Sequence, residues 1–447
     1  MTNWTATLAN LVAHSSPNDE AIASAKKGLL DYLASSLTAG QTETGTLLIR
    51  WFDEEGGNAD IPLIGMHKNA SARQAALYNG YLGHALDLDD VHTDVRGHPS
   101  TVILPALLSV AATGSFSGRR FLEAYAIGVE VMARLGLTIG AQHYTRGWHN
   151  TATLGGIAAA CACAYLQRFS AEKIELAIGI AATQSSGMRN QFGTEVKPLH
   201  AGLAAEQGYV ASKLTGLGLI GSKRTLDGEN GFLSLYGDGT DNADALTSDW
   251  GDSWKISKPG LWFKLYSFCS AAFHAADACH ELLSQDTFIL EDIQKIEVIY
   301  PPGGDAALIH THPQTGDEGR FSVEYIVALF LTNRTATLSD FNHETIPASI
   351  RQVMNKVTRQ YDATIKPSPH AVPKGRFTIV RVHLENGNIL ESRVDAPLGS
   401  TDKPLSMDQL EQKLDDSCSE EQAVQIKQAV NGLDKAATLS ELIEAVR

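Results

Sequence analysis

At 447 residues the chain is too long for a single hydrophobic core, so two domains are the first expectation. A net charge of −15 argues against nucleic acid or an anionic membrane surface as the main partner, although a local basic pocket for a small anion is compatible with it. The composition, 43% hydrophobic and 19% charged, is that of an ordinary soluble globular protein.

The N-terminus lacks a basic region followed by an apolar core, so no signal peptide is read there. No run of about 18 apolar residues offers a membrane span. Cys161, Cys163, Cys269, Cys279 and Cys418 fit neither a zinc spacing nor a disulfide framework. Together these features predict a cytoplasmic protein.

In chain order, apolar residues recur at helical spacing over 4–13 and 19–37, the second after the start signal Pro17-Asn18-Asp19. Further helices are predicted over 44–55, 70–86, 100–113, 118–140, 151–168, 171–189 and 198–216. These stretches are rich in Ala, Leu and Gly and poor in β-branched runs, so the first 250 residues read as all-helical. The character changes near 254–260. A helix over 270–284 is followed by strand-like alternation at 293–301, 376–387 and 388–396, the last two joined by a hairpin signal at Asn386-Gly387. Helices are expected over 320–333 and 345–360. Helical periodicity then returns to the end of the chain. The expected architecture is mainly α: a helical domain of residues 1–254 and 400–447, with a smaller α+β domain of 255–397 inserted before the last helices.

The densest chemistry lies between two of the predicted helices. The stretch 79–105 holds His84, His92 and His98, Asp87, Asp89, Asp90 and Asp94, and Arg96. Asp-rich loops are often solvated or cap helices. A mixed His/Asp/Arg loop flanked by core helices is better read as a site. Three further segments carry candidate groups. One is 143–149, His-Tyr-Thr-Arg-Gly-Trp-His, whose bland reading is an aromatic plug at a helix start. The second is 193–200, with Lys197 just before Pro198 at an expected helix N-terminus that favours anions. The third is 264–269, which is weak alone.

Taken together, HALDLDDVHTDVRGHPS, GWHNTATLG, GTEVKPLHAG, KLYSFC and RFSVEY resemble the MmgE/PrpD family, in order and across nearly the whole chain. That resemblance implies a large helical domain, a smaller α+β domain, no metal and no cofactor, and a homodimer. It implies an enzyme acting on a small polycarboxylate: 2-methylcitrate dehydratase, cis-aconitate decarboxylase and iminodisuccinate epimerase are members. It assigns catalytic roles to Asp87, His98, Tyr144, His149 and Lys197. Arg96, Lys264, His200 and Tyr325 become substrate-binding candidates. Ser267 and Phe268 depart from the family's K-x-Y-P-S-C pattern.

The chemistry is coherent in its own right. Removing a proton next to a carboxylate creates an enolate-like dianion, so cations must stand where charge develops. Arg96, Lys197 and Lys264 can supply them, and Lys197 can be base or anchor. Dehydration ranks first, because the resemblance implies it for much of the family and the acid–base set supports it. Epimerisation ranks second, with Tyr144 and Lys197 on opposite faces. Decarboxylation ranks third, because the RGHPS loop is spaced unlike that of decarboxylase-like members. Two other classes stand beside these: a metal-dependent hydrolase using His84, Asp87, Asp89, Asp90 and His92, and a non-catalytic carboxylate-binding protein.

Overall fold

The computed structural model describes residues 3–237, 242–285 and 288–447. The chain divides into two compact units, one of residues 1–190, 195–261 and 406–447, the other of 191–194 and 262–405. The division therefore falls at 261/262 and 405/406 rather than at 254/255 and near 400, and 191–194 goes with the second unit.

In the first unit come α1 (Trp4–His14), α2 (Asp19–Gly40), α3 (Thr46–Glu55), β1 (Ile61–Pro62), β2 (Asn69–Ala70), α4 (Ala72–His84), α5 (Ser100–Ala111) and α6 (Gly118–Ile139). They are followed by α7 (Ala141–Thr145), α8 (Asn150–Leu166), α9 (Ala171–Ala182), α10 (Val196–Gly216) and α11 (Phe232–Tyr236). The second unit holds α12 (Phe273–Gln285), β3 (Ile293–Tyr300), α13 (Gly316–Gly319), α14 (Val323–Asn333), α15 (Ala348–Met354), β4 (Val357–Tyr361), β5 (Thr378–Leu384) and β6 (Ile389–Val394). The chain then returns to the first unit with α16 (Met407–Asp415), α17 (Glu420–Gly432) and α18 (Ser440–Ala445). The fold is mainly α.

Three expectations need correction. A short antiparallel pair, β1 with β2, interrupts the helices of the first unit. The helix expected over 171–189 stops at Ala182. The one expected over 345–360 stops at Met354, and Val357–Tyr361 is a strand lying parallel to β3. The sheet order is β4-β3-β5-β6, with β5 antiparallel to both β3 and β6. At the β5–β6 turn Gly387 takes φ +86, the left-handed conformation such a hairpin requires.

The first unit is organised by close helix packing. α10 lies against α8 and α4. A Cβ built on Gly202 of α10 would stand 2.3 Å from the Leu77 carbonyl oxygen of α4. One on Gly80 of α4 would stand 2.9 Å from the Gly202 Cα. One on Gly208 would meet the Ala159 Cβ of α8 at 2.3 Å. These small residues let three backbones approach where larger side chains would hold them apart. α4 is fixed at its start by a Ser71/Gln74 capping box. Its C-terminal residue, His84, is thereby delivered beside the first turns of α8 and α10. Among the described residues no helix is long and apolar enough to cross a membrane, and all five cysteines are free thiols.

Candidate active site

The loop between α4 and α5 is anchored from several sides of the first unit. Its own turn is closed by a bridge between His92 and Gly97. The Asp94 amide donates to His92 Nδ1 at 3.2 Å, so His92 Nε2 carries the proton and donates to the Lys255 carbonyl at 3.0 Å. Lys255 pairs with Asp94 at 2.9 Å. From the start of α8, Asn150 donates to the Val95 carbonyl at 2.8 Å, and the Thr151 hydroxyl accepts from the His98 amide at 3.1 Å. Gly136 of α6 leaves room for the loop: a Cβ there would lie 2.3 Å from the Asp94 carbonyl oxygen. Asp90 serves the fold. It accepts from the amide and hydroxyl of Ser100, the first residue of α5, and that hydroxyl also meets Tyr125. Burial and the nearby Asp31 hold its carboxyl well above the usual carboxylate range. Asp90 and His92 therefore leave the metal-ligand set that the sequence offered.

The remaining loop groups form a buried alternation of basic side chains and carboxylates. The Lys197 ammonium, in the first turn of α10, lies 2.7 Å from Asp87 Oδ1. The same oxygen is 3.6 Å from His98 Nε2. His98 Nδ1 is 3.2 Å from Asp89 Oδ2, and Asp89 in turn faces His84 Nδ1 at 2.9 Å. Ionised carboxylates only accept, so a His98 nitrogen must carry a proton to bond the carboxylate it faces. A lysine in the first turn of a helix opposes the helix dipole, and Asp87 offsets that cost. Next to the alternation the His84 ring stacks on that of His149, with centroids 5.8 Å apart, and His149 Nδ1 meets His200 Nδ1 at 3.1 Å. His149 sits at the N-cap of α8, its amide donating to the Gly187 carbonyl at 3.1 Å. His98 and His200 are half-buried; the other five groups are buried.

Burial sets the protonation states. It drives the His84 ring down to about 3, against the pull of Asp89. His149 is held well below its usual value by burial and then by the nearby His84 and Lys197. His200 is lowered by burial and by Lys197. For Asp89 burial works in the other direction, but the attraction and hydrogen bonds of the two histidines outweigh it and keep the carboxyl well below the usual range. The result is an ionised Asp89 with neutral rings at its far side.

These shifts predict acid lability. Histidines whose folded values lie below the ordinary 6.5 bind fewer protons folded than unfolded. His143, lowered to about 4, and His274, lowered to about 3, behave the same way, both through burial. Stability from these groups is full above about 6.5 and drains as pH falls toward 3. Asp90 acts with the opposite sign, its contribution fading as pH rises above the ordinary carboxylate range. Among the described residues, six lowered histidines, with His92 and His200 among them, outweigh two raised carboxyls, Asp90 and Asp277, so the thermal midpoint at pH 5 is expected below that at pH 7.5, as read by scanning calorimetry.

Asp87, His98, His149, Lys197 and His200, all anticipated from sequence, are thus brought together in the first unit. Tyr144 is half-buried with the Arg189 guanidinium 3.9 Å above its ring. Arg96 takes φ +55 and its side chain is exposed, so it is outside the buried alternation. Lys264 and Tyr325 belong to the second unit; both are buried, and the Tyr325 hydroxyl donates to the Asp340 carbonyl at 2.5 Å. His143 and Trp148 are a packed plug: their rings stack, and His143 meets the Tyr236 carbonyl and the Thr153 hydroxyl at 2.8 Å each. Sequence reasoning placed His84 and Asp89 in the site loop and among possible metal ligands but gave them no acid–base role, although both stand in the HALDLDD motif. It gave no sign of Lys413, whose role is argued below.

Ligand atoms of His84, Asp87, Asp89 and His98 lie within 4.8 Å of one another, so this donor set is compact enough to hold a cation. The Lys197 ammonium and the ring protons facing Asp89 compete for the same carboxylate lone pairs.

Residues 5–244 match the MmgE/PrpD N-terminal domain and residues 266–435 the MmgE/PrpD C-terminal domain. Among curated proteins, a cis-aconitate decarboxylase-like protein of Aspergillus oryzae is 27% identical, over 99% of this chain and 97% of its own. The cis-aconitate decarboxylase of Homo sapiens is 26% identical over 95% of this chain and 91% of its own, and that of Aspergillus terreus 26% over 86% and 82%. The family models span most of the chain in the order of its two domains, and the chain belongs to the MmgE/PrpD family.

Proposed function

We propose that the protein is a lyase that breaks a bond next to a carboxylate of a small polycarboxylate, with loss of CO2 from a cis-aconitate-type substrate as the first reading. The observation that carries it is the buried alternation Lys197–Asp87–His98–Asp89–His84. The names of the full-length relatives move decarboxylation ahead of dehydration, the order the motifs alone favoured.

The alternation suits that chemistry. A substrate carboxylate can exchange for Asp87 as the anionic partner of Lys197 and His98. Breaking the bond to the departing carboxylate leaves its electron pair on the substrate, spread onto a conjugated carboxylate. Cations held in a water-poor site stabilise that charge without reorganising. One proton must then reach carbon, and His98 is the half-buried donor of the set. The products are CO2 and the protonated dicarboxylate, and His98 recovers its proton from solvent.

Dehydration of a 2-methylcitrate-type hydroxy acid is the second reading. It needs a base for the α-proton and an acid for the hydroxyl, and the neutral His149–His200 pair, 3.1 Å apart, supplies a base that decarboxylation does not use. Epimerisation ranks third, as the Tyr144 ring is covered by Arg189. A homodimer is part of the same proposal and predicts twice the chain's mass by light scattering.

Incubating the purified protein with cis-aconitate, 2-methylcitrate and a panel of dicarboxylates tests the reading. It predicts CO2 release, fastest from cis-aconitate. An unsaturated acid formed from the hydroxy acid without CO2 selects the second reading. Tight binding with no turnover of any member contradicts both and identifies a carboxylate-binding protein.

A further inference from the structure

We propose that Lys413, on the C-terminal helix α16, is a positioning residue that holds the Asp87–Asp89 segment in its working conformation by hydrogen-bonding the Leu88 carbonyl. The inference rests on the reading of Asp87 and Asp89 as the working carboxylates.

The segment needs holding. Asp87 sits at φ +52, in the left-handed region. Asp tolerates that region better than most residues, yet such a conformation is strained and persists where its surroundings enforce it. Two side chains that flank the same imidazole, Asp87 and Asp89, depend on the peptide plane between Leu88 and Asp89. The Lys413 ammonium lies 2.8 Å from the Leu88 carbonyl oxygen and 2.6 Å from Asp31 Oδ1 on α2. Lys413 is 8% exposed and Asp31 fully buried. A donor to Leu88 thus reaches the segment from α16, out of bulk water.

Docking the tail does not by itself call for this lysine. Leu410 and Leu414 of α16 are already fully buried, and Gln41 donates to the Ser417 carbonyl at 2.6 Å. Apolar residues of similar volume commonly replace a buried ion pair with no loss of stability. An ammonium aimed at a backbone carbonyl between two site carboxylates is explained by what it positions.

Two variants separate positioning from stability. Asp31→Asn keeps the Lys413 donor on Leu88 but leaves a buried ammonium without its carboxylate. Lys413→Met combined with Asp31→Asn removes both charges and the Leu88 hydrogen bond. The first is expected to lower the thermal midpoint while kcat stays within about threefold of wild type. The second is expected to recover stability yet lose about thirtyfold or more in kcat, with KM within about threefold, since a shift of about an ångström in reacting groups is costly. A purely structural lysine would make activity follow stability, the opposite ranking. Hydrogen–deuterium exchange of the amides in 86–98 gives a readout independent of substrate: faster exchange is expected in the double variant and not in Asp31→Asn. Unchanged exchange in the double variant overturns the inference whatever the activity does. If exchange responds but wild-type protein turns over no polycarboxylate, the clamp stands and the functional reading falls.

Discussion

Lys197→Ala is expected to lower kcat/KM by at least about a hundredfold on whichever polycarboxylate the protein turns over. The Lys197 side chain is 5% exposed and its ammonium 2.7 Å from Asp87, so its loss takes a cationic partner from a buried carboxylate. The kinetic pattern distinguishes the two roles the sequence left open. An anchor for a substrate carboxylate raises KM along with the loss; a group acting in the transition state lowers kcat alone. Lys197→Arg is expected to rescue little, because a planar fork does not fit a point-charge site packed against α4. Steady-state kinetics on folded variants check this, and activity that survives Lys197→Ala contradicts the assignment.

The second large effect is on stability. Gly202→Val is expected to destabilise the first unit by about 3 kcal/mol or more, the upper range of overpacking. Its Cβ would lie 2.3 Å from the Leu77 carbonyl oxygen and 3.1 Å from the Tyr81 amide nitrogen, both backbone atoms that cannot swing aside. α4 and α10 would have to separate, and they carry His84 and Lys197. Activity is therefore expected to fall before the protein unfolds. Gly432→Ala is the control: nothing lies within 4 Å of its built Cβ, so a neutral or slightly stabilising effect is expected. Denaturant titration of both variants makes the comparison.

Much of this molecule was legible because its signals are local. The helices of the first unit announce themselves through apolar spacing, the start signal around Asn18, and runs of small residues. What escaped depends on partners distant in the chain. Val357–Tyr361 continues a helical pattern in sequence; it is a strand because β3 offers it a parallel edge. β1 and β2 are two residues each, too short to show alternation. In the site loop the residue types marked the chemistry, but nothing in DLDDVH says which aspartate caps a helix. Asp90 does so because Ser100 comes to it, while Asp87 and Asp89 turn to the histidines. Lys413 lies in MDQLEQKLDD, where a lysine reads as solvated surface. Its contact with Leu88 spans most of the chain and exists only once the tail has folded back.

The central claim is that the groups gathered around Asp87 and Asp89 perform acid–base lyase chemistry with the chain's own residues. The most direct measurement is turnover of cis-aconitate by chelator-treated protein in D2O, followed by NMR and mass spectrometry. The account predicts undiminished turnover, with one CO2 lost and one deuterium fixed at carbon in each product molecule. Product without deuterium, or turnover that stops with the chelator and returns with a divalent ion, would contradict it.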